Sequence, residues 1–193
     1  MTPVLGIIAS SNQQGRGGGP VGAYDALATV TLSASASSIV FAGIPAGYQH
    51  LQLRIFARSD HPSFAGVDGN LTFNGDTGAN YSWHYLLGFG TGITSSGSAN
   101  QSNIVPGIIA SGGGSPANVF AASIIDILDY ASTTKNKTTR ALDGLEPNQS
   151  SGRDLRLSSG SWRNTAAITS LRLVTSPSQN FIANSSFALY GVK

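Results

Sequence analysis

Glu146 is the only glutamate in this chain of 193 residues, Met1 the only methionine, and lysine stands at 135, 137 and 193 alone. Surface helices are built largely from such long, straight side chains, so a sequence without them has little material for amphipathic helices. Their place is taken by 24 glycines and by Ser, Thr, Asn, Val and Ile, the residues of short strands and tight turns. The expectation is an all-β chain. Charged residues make up only 10%, whereas 40% hydrophobic residues are enough to fill a core at this length.

Hydrophobic patterning divides the chain at about residue 22. Residues 1–22 hold a short apolar run, Val4, Leu5, Ile7 and Ile8, followed by a Ser/Asn/Gln/Gly stretch that ends at Pro20. Such a stretch cannot pack a core and reads as a flexible glycine-rich arm. Residues 23–193 read as one β-sandwich domain. Residues 28–32 and 38–41 are expected to form a first strand pair, and Leu51, Leu53 and Ile55 alternate with Gln52, Arg54 and Phe56. Asn74-Gly75 marks a turn, and residues 81–89 form an aromatic-rich strand. Residues 90–117 read as two glycine/serine loops around 104–110. In 119–130 the β-branched Ile124, Ile125 and Ile127 favour strand over helix. Leu155 and Leu157 lie opposite Asp154 and Arg156. The chain closes with 171–174 and 187–192, whose last run carries Phe187 and Leu189 on one face and Ala188, Tyr190 and Val192 on the other. That run is expected to be buried on both sides, inside a sandwich or against another subunit. Roughly ten short strands joined by long glycine-rich connections suggest Greek-key crossings, hence a jelly-roll-like antiparallel β-sandwich.

Chemistry is sparsely signalled. With no cysteine there is no disulfide framework, thiolate nucleophile or cysteine-bound metal. The match of Gly17, Gly19 and Gly22 to a dinucleotide fingerprint lies in the tether, with Pro20 where a helix should open. Asp68-Gly69-Asn70 begins like a calcium loop, but Phe73 stands where glycine is required and Ala79 where the bidentate glutamate should be. A looser oxygen-ligand site at Asp68, Asn74 and Asp76 stays open, though turn formation explains all three more simply. Asp126 and Asp129, three apart in a strand, should face opposite sides, unlike a glycosidase pair. The reading assigns no catalytic residue, metal or cofactor. A net charge of +2 with scattered arginines disfavours nucleic acid, and no segment reaches membrane-spanning length. Tyr81, Trp83 and Tyr85 share one strand face and form the best candidate binding surface, for stacked sugar rings or for subunit packing.

Several segments together resemble a family of bacteriophage virion proteins common in marine and cyanobacterial phages. They are Thr2-Pro3-Val4-Leu5-Gly6-Ile7-Ile8-Ala9-Ser10, Tyr24-Asp25-Ala26-Leu27-Ala28-Thr29-Val30, Ile44-Pro45-Ala46-Gly47-Tyr48-Gln49-His50-Leu51-Gln52-Leu53-Arg54, Phe73-Asn74-Gly75-Asp76-Thr77-Gly78-Ala79-Asn80-Tyr81-Ser82-Trp83-His84, Ile127-Leu128-Asp129-Tyr130-Ala131, Gly160-Ser161-Trp162 and Ser186-Phe187-Ala188-Leu189-Tyr190-Gly191-Val192. The resemblance implies a structural role in a tail fibre, tail tip or capsid-surface protein, and supplies no catalytic residue. The resulting expectation is a non-enzymatic virion protein, assembled in the host cytoplasm as a homotrimer. Val4, Leu5, Ile7 and Ile8 would attach it to other virion proteins, and Phe187, Leu189, Tyr190 and Val192 would serve assembly. The alternative is a receptor-binding module for host-surface glycans using Tyr81, Trp83 and Tyr85. A hydrolase, which needs a carboxylate or Ser–His constellation, ranks third.

Overall fold

The computed structural model describes residues 22–149 and 152–193. Within them lie twelve strands and no helix: β1 (Tyr24–Thr31), β2 (Ile39–Ala42), β3 (His50–Ala57), β4 (Gly66–Phe73), β5 (Tyr81–Phe89), β6 (Gly92–Gln101), β7 (Ile108–Ser111), β8 (Ala121–Leu128), β9 (Lys137–Leu145), β10 (Asp154–Trp162), β11 (Ser170–Ser176) and β12 (Ser186–Val192). They form an eight-stranded sheet in the order β1-β12-β3-β8-β9-β10-β5-β6 and a four-stranded sheet in the order β2-β11-β4-β7.

The pairing is that of a long hairpin rolled up on itself. β1 pairs with β12, β2 with β11, β3 with β8 and β4 with β7, all antiparallel. Set β5, β6, β9 and β10 aside, and two four-stranded sheets remain, β1-β12-β3-β8 and β2-β11-β4-β7. This is a jelly roll. Two inserted hairpins, β5–β6 after β4 and β9–β10 after β8, both add to the free edge of β8. They lengthen one sheet and leave the other alone.

The core follows from period-two alternation. Leu51, Leu53 and Ile55 of β3, Ile125 and Ile127 of β8, and Phe187 and Leu189 of β12 point inward against Phe41, Leu71, Phe73, Leu171 and Leu173 of the shorter sheet. Each such side chain contributes roughly 2–3 kcal/mol by leaving water. β12 thus lies between β1 and β3, and its Phe187 and Leu189 are spent in the chain's own sandwich. That corrects their assignment to intersubunit contact.

Two further expectations change. The strands read as a first pair, β1 and β2, lie in different sheets, because each finds its partner at the far end of the chain. Asn74-Gly75 does form a left-handed turn, with φ of 52° and 70°. It joins strands of two different sheets instead of a hairpin. The Asn74 side chain pins this crossing by accepting from the amides of Thr169 (2.8 Å) and Ser170 (3.1 Å).

Candidate assembly surface

On β10 the usual polarity is inverted. Leu155 and Leu157 point to solvent, 62% and 58% exposed, while Arg156 and Ser158 point into the protein. The cause lies farther along the strand. Trp162 is buried, donates from its indole nitrogen to Asp76 Oδ2 (2.7 Å), and packs beside Phe73 and Tyr81. Two residues before it, a side chain at Gly160 would come within 2.5 Å of Ile104 and 2.6 Å of Thr139. Only glycine fits inward at 160, so a one-residue slip is blocked and alternation sends both leucines outward.

Those leucines belong to two rows across the outer face. One row runs Ile124–Leu142–Leu157–Leu86 over β8, β9, β10 and β5. The next runs Ala122–Gly144–Leu155–Gly88–Ile93 and reaches β6. Ile93, at the edge, is 79% exposed. Together the large side chains present on the order of 600 Å² of aliphatic surface, at the upper end for the largest patch on a monomer.

Beneath the patch, the inward side chains form a buried polar cluster from three strands. Arg156 pairs with Asp68 of β4 at 3.0 Å and lies over the Tyr85 ring at 4.3 Å. Asp143 of β9 accepts from the Ile108 amide at 2.9 Å, holding the start of β7 beside the irregular β4–β7 pairing. Burial pushes the Asp143 carboxyl up to about 7. Burial also raises Asp68 and Asp154, against the pull of Arg156. Arg156 Nε and Nη1, Asp143 Oδ1 and Ser158 Oγ have no hydrogen-bond partner among the described residues. Sequence reasoning did not bring these aspartates together, because they come from strands far apart in the chain. The one local sign was a charged residue between Leu155 and Leu157.

The aromatic candidates separate. Tyr81 is a core residue whose hydroxyl accepts from the Phe73 amide (3.1 Å) and donates to the Asp76 carbonyl (2.9 Å). Trp83 and Tyr85 are half-buried on the inner face and stack on one another at 5.7 Å with planes 3° apart. With Arg156 also on the Tyr85 ring, their stacking capacity is largely used within the chain. Tyr190 lies on the outer face under Arg54, 4.6 Å from the ring, and meets Tyr24 edge-on. Val192 is half-buried at the end of the same strand face. Val4, Leu5, Ile7 and Ile8 lie outside the described residues.

Asp68, Asn74 and Asp76 serve separate tasks: an ion pair with Arg156, the crossing at Thr169 and Ser170, and the cap of Gly78, Asn80 and Trp162. Among the described residues no three His, Cys, Asp or Glu side chains are grouped to hold a metal ion. Asp126 lies on the outer face between Gln52 (2.9 Å) and Arg140 (2.9 Å), whereas Asp129, just past β8, pairs with Lys135 (2.6 Å). The fold and this surface define a jelly-roll β-sandwich with a hairpin-extended sheet. No family model, no curated protein and no solved structure matches the chain.

Proposed function

We propose that this chain is a non-enzymatic structural protein that works by assembling, as a tail-fibre, tail-tip or capsid-surface component of a phage particle. The observation that carries the assembly half of this reading is the pair of bare aliphatic rows. A sheet face with Ile124, Leu142, Leu157, Leu86, Leu155 and Ile93 turned outward is costly to leave in water. The buried Trp162 and Gly160 hold it in that orientation. The virion half rests on the segments that resemble phage virion proteins, which run from Thr2 to Val192.

Light scattering on the purified full chain tests the first half. A mass that is a multiple of 19.8 kDa is expected, three copies on the trimer reading, and a strict monomer at tens of micromolar would defeat it. Labelling the protein in intact particles by electron microscopy tests the second. Density on tail or capsid supports it, and absence from purified particles removes it.

A further inference from the structure

Strand edges expose unpaired backbone groups, and natural sheets shield them with charge, proline, bulges or shortness. Three of the four edges here are shielded. β1 carries a register shift between Ala26 and Ala28 and an ion pair of Asp25 with Lys193. β2 and β7 have four residues each, and β7 is wholly buried. β6 differs. Its only irregularity is a register shift near its end, between Ser98 and Gln101. Gly92–Ser98 pair regularly with β5, hold no charge and no proline, and are mostly exposed.

We propose that the β6 edge receives residues 4–8 of a neighbouring copy as an added antiparallel or parallel strand. This rests on the assembly reading and adds to the aliphatic rows a second, edge contact. The segment matches the edge in three ways. It is uncharged from Thr2 to Ser10, so nothing opposes pairing with the neutral β6. As a strand it carries apolar groups on both sides: Val4 and Ile8 on one, Leu5 and Ile7 on the other. The β6 edge has unmet apolar surface on both sides too. Ile93 projects from the outer face, and on the inner face Thr94 and Gly92 lie beside Leu87 and the half-exposed Phe89 of β5.

Reach favours the neighbour's segment over the chain's own. The start of β1 is seven strand spacings from β6, about 34 Å across the sheet. The 15 residues between Ile8 and Tyr24 span about 50 Å when fully extended, but only about 21 Å as a glycine-rich coil. Crossing its own sheet would stretch the connection, whereas an adjacent copy can present β6 nearby. The contact is head-to-tail, so it closes into a ring or runs on as a filament.

The chain has no cysteine, so engineered pairs report cleanly. Full-length Ile7→Cys protein is mixed with full-length Ser95→Cys protein and treated with a short bis-maleimide, with Ser35→Cys, in the exposed β1–β2 loop, as the control partner. The expected result is a two-chain product at least about tenfold stronger with position 95 than with position 35, falling to control level when Thr94→Lys and Ser96→Lys are added to block the edge. Equal yields at 95 and 35 overturn the proposal. So does a product that forms only within an Ile7→Cys/Ser95→Cys double variant and runs as one chain. If light scattering still gives an oligomer in those cases, the arm contact fails and the assembly reading stands. A strict monomer defeats both.

Discussion

The two halves of the eight-stranded sheet treat their outer faces in opposite ways. Over β1, β12 and β3, and onto Asp126 of β8 and Arg140 of β9, polar and aromatic groups cover most of the face, with Phe56 of β3 left half exposed. The Arg54 guanidinium lies over Tyr24 and Tyr190, its Nε donates to Gln52, Gln52 donates to Asp126, and Asp126 is held by Arg140. Over β8, β9, β10, β5 and β6 the same face carries bare leucine and isoleucine, and the polar groups are underneath, around Arg156. The first half belongs to the jelly roll; most of the second was added by the two inserted hairpins. A sheet can thus be extended by hairpins whose solvent side is far more aliphatic than that of the sandwich they extend.

Breaking the bare half should separate assembly from folding. Leu142→Lys with Leu157→Lys places two ammonium groups side by side in the middle of the Ile124–Leu86 row. Light scattering should fall to 19.8 kDa, with association weakened by at least about a thousandfold. The melting temperature of the isolated chain should move little, since both side chains already face solvent. An unchanged mass would show that the rows are not a contact.

Removing the ion beneath should do the reverse. Arg156→Leu leaves Asp68, Asp143 and Asp154 without their cation and should cost about 2 kcal/mol in urea unfolding, less than for a fully buried pair because Asp68 is partly exposed and the carboxyls can take up protons. A loss below about 1 kcal/mol would mean that the cluster is neutral in the fold.

The pH profile sharpens the same point. Asp143 titrates at about 7 in the fold, above its value in the unfolded chain. Between roughly pH 4 and 7 the unfolded chain has therefore released a proton that the fold retains, and stability falls as pH rises through that window. The loss should be roughly 2–4 kcal/mol, with Asp68 and Asp154 adding in the same direction. Asp143→Asn should flatten most of the decline in denaturant melts at pH 4.5 and 7.5, and an undiminished slope would place the proton elsewhere.

The smallest effect belongs to the jelly-roll half. Arg54→Ala should lower stability by about 1 kcal/mol through its two ring contacts and its bond to Gln52. The oligomer mass should not change. If it does, the assembly surface extends onto the jelly-roll half.

Period-two alternation made β3 legible through Leu51–Leu53–Ile55, whereas β8 was legible from its β-branched isoleucines and β12 as a run apolar on both faces, which marks a strand but not its inward side. β6 was hidden by its own chemistry. A Gly/Ser-rich segment open on both faces has no apolar period to detect, and only its pairing with β5 makes it a strand. On β10 the two faces could be read but not which of them turns inward. Of the site residues, Tyr190 and Val192 do lie on the outer face, Tyr81 went to the core, and the leucines of the bare rows were not singled out.

By itself, then, the sequence determined the class of structure. A chain with one glutamate, three lysines and 24 glycines lacks the side chains for helices and favours strands and turns. The order of the strands, the union of Asp68, Asp143 and Arg156, and the outward turn of Leu155 and Leu157 were decided by tertiary packing. Alternation is a local property with two equivalent solutions. A buried tryptophan and a glycine pressed against Ile104 choose between them.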